Sequence, residues 1–356
     1  MRPWKTMKNI IAATVLCTLL LATPAVSQAQ SKHALGTIAV SPDNSTLIAA
    51  GYNRVMYICN PADLSVKQRI FLEIIPYDAS FSNDGKSLAI VSSDRFVNIY
   101  DTATWEKKVE IEKAQDVVFA HGSNELVVMH ATNLWRQKRT QPIAVYDMST
   151  GEKKREASFE IEGYAIGTNE DASQVVLMSR PKTDETEPNE KTPKELKDLE
   201  RAEFELKHDG KTSEVLWLDG ELKQTNRNKT YYSDSGTNHV FVRDNIATHL
   251  VYRNRCAEFT PEGETKLFKT GTSFNYGMGV SRDMKTIAAG GLAMGMIMNT
   301  ETKTSTSFKH SRLPGFPEYF YGFAIGPDGV SYGGTSAWRI IKISAEGKVI
   351  SETPIF

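Results

Sequence analysis

Three arginines in this chain stand at one fixed offset. Arg54, Arg95 and Arg339 each follow by eleven residues an aspartate, Asp43, Asp84 or Asp328, set in a short polar turn. A guanidinium is permanently charged, and its planar forked donors suit carboxylate, phosphate or sulfate oxygens. The stretch Trp135-Arg136-Gln137-Lys138-Arg139 adds Arg136, Lys138 and Arg139 nearby. Together the six predict a positive arc that takes an anionic ligand or an acidic protein surface. The competing reading is structural: an arginine at that offset bonds the turn carbonyls or turn aspartate of a neighbouring unit.

Other candidate chemistry is thinner. Met294, Met296 and Met298 alternate as on one face of a strand, a pattern of thioethers that suits Cu(I). Equivalent places elsewhere hold Met56, Val97 and Ile341, and Ile58, Ile99 and Ile343, which makes them core positions that methionine fills well. The histidines, His33, His121, His130, His208, His239, His249 and His310, form no local ligand pair. There is no Gly-x-Ser-x-Gly elbow, phosphate loop or dinucleotide fingerprint. The sequence therefore names no catalytic residue, no metal ligand and no cofactor.

These residues must be positioned by something, and the chain supplies a repeating unit. From Tyr77 to Ile111 it reads as four short strands punctuated by Ser82-Asn83-Asp84-Gly85, Ser92-Ser93-Asp94 and Asp101-Thr102-Ala103-Thr104. Clusters of this kind between β-branched runs mark hairpin turns. The turn aspartate recurs as Asp43, Asp84, Asp171, Asp283 and Asp328, with looser copies at Gly122-Ser123-Asn124 and Gly236-Thr237-Asn238. Four-stranded units repeating every ~40 residues read as propeller blades, so seven copies predict seven blades. Blades one and seven are expected to close by face packing. Cys59 and Cys256 would lie in non-adjacent blades, beyond disulfide reach, as buried free thiols.

Residues 1–29 predict a signal peptide: Arg2, Lys5 and Lys8, then the apolar run Ile10 to Ala22, then small residues for cleavage. Without those three, the 42 basic residues become 39 against 43 acidic, a net charge near −4. A mildly acidic chain is poorly suited to nucleic acid, and no later stretch has the length to span a membrane. The expected place is the periplasm or outside the cell, and the expected state a monomer. An insert at about 180–212 interrupts blade four. It opens with acidic and proline residues, then turns helical at Thr192-Pro193 with Glu195, a capping box.

Ser41-Pro42-Asp43-Asn44, Gly326-Pro327-Asp328-Gly329, Ile99-Tyr100-Asp101-Thr102 and Val145-Tyr146-Asp147-Met148-Ser149-Thr150-Gly151 resemble the strand-opening and strand-closing signatures of WD40-like and YVTN-type β-propellers. The resemblance covers almost all of the chain after the leader and lacks the Gly-His and Trp-Asp pairs of true WD40 repeats. It implies a bacterial propeller family that spans binding modules, lactonases, lyases and quinoprotein dehydrogenases. The expected fold is all-β: one seven-bladed propeller over residues 30–356 with a short helical insert in blade four. The expected function is an exported, non-catalytic scaffold that binds a protein or ligand through its loop face. The alternative is a propeller enzyme with its site at the central channel.

Overall fold

The recurrent aspartate makes each turn by itself. In the computed structural model, Ser41, Ser82 and Ser281 donate their hydroxyls to Asp43, Asp84 and Asp283 at 2.6, 2.7 and 2.6 Å. The same carboxylate oxygens accept the backbone N–H two residues on, at 3.0 Å from Ser45, 3.0 Å from Lys86 and 3.1 Å from Lys285. This Asx geometry frees the next residue for the left-handed region, where Asn44, Gly85 and Met284 sit at φ 57°, 71° and 56°. These bonds hold the Asp43, Asp84 and Asp171 carboxyls below the ordinary aspartate range. The structure describes residues 34–132, 140–179, 182–183, 193–195, 200, 204, 211–231, 240–251, 255–263, 265–269, 276–311, 313 and 315–355. The expected leader at 1–29 lies outside them.

Among the described residues, the turns organise a propeller-like, all-β arrangement of five four-stranded blades and one nine-stranded sheet. The five blades begin with the inner strands Thr37–Val40, Pro76–Phe81, Ala114–Ala120, Gly277–Val280 and Phe320–Ile325, and each is an antiparallel meander outward from there. Second strands such as Leu47–Ala50 and Ser87–Ser92 are buried along their whole length, because sheets pack on both of their faces. The outermost strand Val66–Phe71 is largely exposed. Between the first two blades lie Ile48, Met56, Phe81, Leu88 and Ile90. Leu35, Ile38, Leu47, Tyr332 and Ile340 form another layer, which packs the last blade on the first and closes the ring face to face.

The expectation of seven separate blades with a helical insert is corrected here. The chain between Gly163 and Lys269 forms a single sheet in which Gly163–Thr168 pairs in parallel with Val240–Arg243, through Gly167 with Val240 and Thr168 with Phe241. Gly167 lets this happen. A Cβ there would lie 2.7 Å from Val240 Cγ1 and 2.8 Å from the Val240 carbonyl oxygen, so a side chain would hold the two strands apart. Reading each repeat as self-contained takes no account of such a bond between neighbours. The insert also contributes strand, since Lys182–Thr183 pairs with the start of Lys211–Asp219. The helix expected after Thr192 lies almost wholly outside the described residues, and no helix is bounded among them.

The methionines and cysteines fall where packing requires them. Met296 and Met298 are buried in a cluster with Phe241, Cys256 and Ile287. Cys59 and Cys256 are both free and buried.

Candidate functional site

Inner strands start at one end of a central channel and stop at the other, and the two ends differ. At the starting end the first residues of several inner strands bulge. Pairing skips Tyr77 between Pro76 and Asp78, Tyr164 between Gly163 and Ala165, and Tyr321 between Phe320 and Gly322. A bulge inserts one residue opposite none, bends the strand and re-aims that side chain. In the four-stranded blade before the last, Tyr276 stands just before Gly277–Val280, its N–H bonded to the Gly290 carbonyl at 2.8 Å.

Four tyrosines thus occupy one place in the repeat. Tyr77, Tyr164, Tyr276 and Tyr321 each precede their turn aspartate by seven residues; in the first blade that place is Gly36. Tyr77, Tyr276 and Tyr321, with Tyr52 from a neighbouring turn, line a cavity of about 330 Å³ at the channel mouth. Tyr276 meets Tyr319 edge-on at 5.4 Å between centroids and Tyr321 at 6.1 Å. Tyr77 and Tyr276 are 50% and 44% exposed, large values for aromatic rings in a folded chain, and that surface opens on the cavity.

Asp78 lines the same cavity, and a second carboxylate, Asp116, stands on the next inner strand. Asp78 and Asp116 hold matching places in the inner strands of blades two and three, and each caps its own next residue, Ala79 N–H at 2.8 Å and Val117 N–H at 3.0 Å. Asp116 also accepts the Ile166 N–H across the blade boundary at 3.1 Å, and beside it the Gln115 amide donates to the Gly163 carbonyl at 3.1 Å. Burial in the channel wall pushes the Asp116 carboxyl up to about 7; the Ile166 and Val117 N–H bonds oppose the rise and the Asp78 charge adds to it. The Tyr77 phenol is pushed up as well, by burial first and then by Asp116 and Asp78. Asp116 has no ion-pair partner among the described residues.

The far end of the channel carries a cation and an imidazole. Arg282 reaches from the end of Gly277–Val280 to the second blade, where its Nη2 donates to the Phe81 carbonyl at 2.9 Å and its Nη1 to Asn83 Oδ1 at 3.1 Å. His121 lies on the wall there, stacked on Phe119 at 6.2 Å, with its buried Nδ1 making no hydrogen bond among the described residues. Burial and the Arg282 charge hold its imidazole down at about 3, so it stays neutral. The channel thus presents rings at one end and a guanidinium bonded to the second blade at the other, with Asp78 lining the cavities at both.

The arginines chosen from sequence are not equivalent to one another. Arg54 and Arg95 are exposed, at φ 60° and 70°, on turns that face the mouth end. The Arg54 guanidinium donates to the Glu73 carbonyl, at 3.5 Å. The place matching theirs in the last blade is Trp338, at φ 56°, because the Gly326–Val330 turn is one residue shorter than Ser41–Thr46 and Ser82–Ser87. Arg339 therefore begins a strand, buried, and binds Glu318 and Glu352. Arg136, Lys138 and Arg139 lie outside the described residues. No group of three or more metal-ligating side chains occurs among the described residues, and no helix among them is long and apolar enough to cross a membrane.

No protein-family model matches the chain, and no curated protein matches it. Among solved structures it is similar to a chain of Kuenenia stuttgartiensis hydrazine synthase, with a TM-score of 0.56 at 13% identity over 85% of this chain and 92% of that one. At that identity the likeness is one of fold, a propeller-like arrangement.

Proposed function

We propose that this chain is an exported, non-catalytic β-propeller of the loosely patterned WD40-like or YVTN kind that binds a small ligand at its tyrosine-rimmed mouth. The observation that supports this is the convergence of tyrosines from one repeat position, Tyr77, Tyr276 and Tyr321, on a cavity of about 330 Å³. That volume is at the lower end of the range for small-molecule sites. Tyrosine supplies broad contact area at low entropic cost and a polar tip for orientation. A folded core does not require these rings to be open, so binding is the use that accounts for them.

A second reading is an enzyme working at the same mouth, and Asp116 favours it. A carboxyl held at about 7 is poised to give and take a proton near neutral pH. Its two backbone bonds tie blade three to the next sheet, which equally explains an aspartate there.

The test is a ligand screen by thermal shift on the full chain and on the Tyr77→Ala/Tyr276→Ala/Tyr321→Ala variant. Compounds that raise the native melting temperature are expected to have no effect on the variant. Undiminished shifts in the variant would move the binding site elsewhere on the protein.

A further inference from the structure

We propose that the mouth takes a neutral aromatic ring, a phenol-like group that enters the gap at Gly36 between Tyr321 and Tyr77. This rests on the mouth being a ligand site, as argued above, and adds the class of ligand and the residue that admits it.

Gly36 is the departure from the repeat that opens the cavity. Around the ring the inner strands Gly277–Val280, Phe320–Ile325, Thr37–Val40 and Pro76–Phe81 are packed each on the next. Their matching places hold Tyr276, Tyr321, Gly36 and Tyr77, so a consecutive row lacks one ring, and all four residues line the cavity. Backbone geometry does not call for that glycine. Gly277 and Gly322, beside the neighbouring tyrosines, are held to glycine: a Cβ would lie 2.5 Å from the Tyr321 carbonyl carbon and 1.9 Å from the Gly36 carbonyl oxygen, respectively. A Cβ on Gly36 would meet Tyr321 Cβ at 3.7 Å, an ordinary van der Waals contact, and nothing nearer. The φ of Gly36 also lies outside the left-handed region. Glycine loses more conformational freedom on folding than any other residue, so one without a geometric need marks space kept for something else, such as a ligand.

The lining decides what the gap takes. Ile38, Ile75, Pro76, Met278 and Phe323 give apolar surface for the faces of a ring. The polar groups are the tyrosine tips, Ser93 and Asp78, whose Oδ1 already accepts the Ala79 N–H. The described lining residues include no lysine, arginine or histidine to answer an anion, and no asparagine or glutamine to grip the adjacent hydroxyls of a sugar. The rings present already meet as aromatic pairs prefer, Tyr276 edge-on to Tyr319 at 5.4 Å and tilted to Tyr321 at 6.1 Å. A ring at the first-blade place extends that pattern, and a phenol hydroxyl there meets tyrosine and serine hydroxyls that both donate and accept.

Saturation-transfer NMR titrations on the full chain, with p-cresol, its ring-saturated counterpart methylcyclohexanol, the anion hydroxybenzoate, and glucose, test the class. p-Cresol is the side chain that a tyrosine at this place would supply, and it is neutral near about pH 7 because a phenol titrates at about 10. It is expected to bind severalfold more tightly than each of the other three. Gly36→Tyr, which fills the gap with a ring of the chain's own, should fold and lose p-cresol binding; undiminished affinity in that variant overturns the proposal. A Gly36→Tyr chain that does not fold would overturn the room argued for a ring there. Tyr276→Ala should weaken p-cresol severalfold, and unchanged affinity would again overturn the proposal. If methylcyclohexanol or glucose binds as tightly as p-cresol, and Gly36→Tyr abolishes that binding, the aromatic class is overturned and the mouth stands as a site. The same holds if none of the four binds while the thermal-shift screen yields a ligand sensitive to the tyrosines. If neither experiment finds a ligand, both readings fall.

Discussion

Replacing Arg339 by alanine should destabilise this protein strongly, and the neighbours of Arg339 set the size of the effect. The guanidinium donates through Nε to Glu318 Oε1 at 2.9 Å, through Nη1 to Glu352 Oε2 at 2.8 Å and through Nη2 to the Ser311 carbonyl at 2.6 Å, besides its bond to Glu318 Oε2. The Glu318 side chain is fully buried, whereas Glu352 keeps 21% of its side chain open. Without Arg339, Glu352 can take water; Glu318 is left with the Thr335 hydroxyl at 2.6 Å and the buried His310 Nδ1 at 3.8 Å. Stranding one member of a buried pair costs about 3–5 kcal/mol, a large part of a total stability of roughly 5–15 kcal/mol. Urea titration followed by fluorescence, with Trp338 next in sequence as a reporter, should show a lower midpoint at unchanged slope. Arg339→Met with Glu318→Gln should cost less than Arg339→Ala alone, since no charge is then stranded. Arg54→Ala and Arg95→Ala, at exposed positions, should stay within about 0.5 kcal/mol. A loss below about 1 kcal/mol for Arg339→Ala would refute the structural role and return the residue to the candidates for anion binding.

Gly167→Val should destabilise by roughly 1–3 kcal/mol in the same titration, because its new Cβ meets the Val240 backbone as well as its side chain; an unchanged midpoint would contradict the parallel pairing. Asp84→Asn should flatten the acid limb of the stability curve. The Asp84 carboxyl is depressed in the fold, so its contribution is full above the unfolded value near 3.9 and is lost as pH falls through the lower folded value; an identical acid limb in the variant would refute this. Cys59, pushed up to about 11 by burial, and Cys256, pushed up further, should both resist Ellman's reagent in the native state and react in denaturant, and rapid native labelling would contradict their placement.

The blades were legible because their punctuation is chemical. Asp43, Asp84 and Asp283 each close a turn with hydroxyl and N–H bonds made within five residues, so sequence alone carries them. The bond between Gly167 and Val240 joins residues 73 apart, and a local pattern does not encode it. The same limit misplaced Arg339. Counting eleven residues from the aspartate assumes turns of equal length, and the shorter Gly326–Val330 turn moves Arg339 from the rim into a buried ion pair. Counting seven residues back crosses no such turn, and it finds Tyr77, Tyr164, Tyr276 and Tyr321 without exception among the units that keep a tyrosine there. That signal stands in the sequence beside the arginine signal, where tyrosine at a strand start reads as ordinary β-propensity.

Why the rings should be functional and not propensity comes down to what a strand start needs. A tyrosine placed for packing would continue the alternation of its strand and bury its ring between sheets, as Tyr332 does at 1% exposure. Tyr77, Tyr164 and Tyr321 instead sit where the ladder skips a residue, which gives up a regular pair at each site. Giving up that pairing in the second blade, the nine-stranded sheet and the last blade, and then leaving Tyr77 half open, has no advantage for stability. The far end of the same strands shows the contrast. There Arg282 is committed to Phe81 and Asn83, bonds that hold two distant blades together. One end of the channel is tied across by a guanidinium, and the other spends its regular pairing to present rings, which is what a binding mouth on a fixed ring requires.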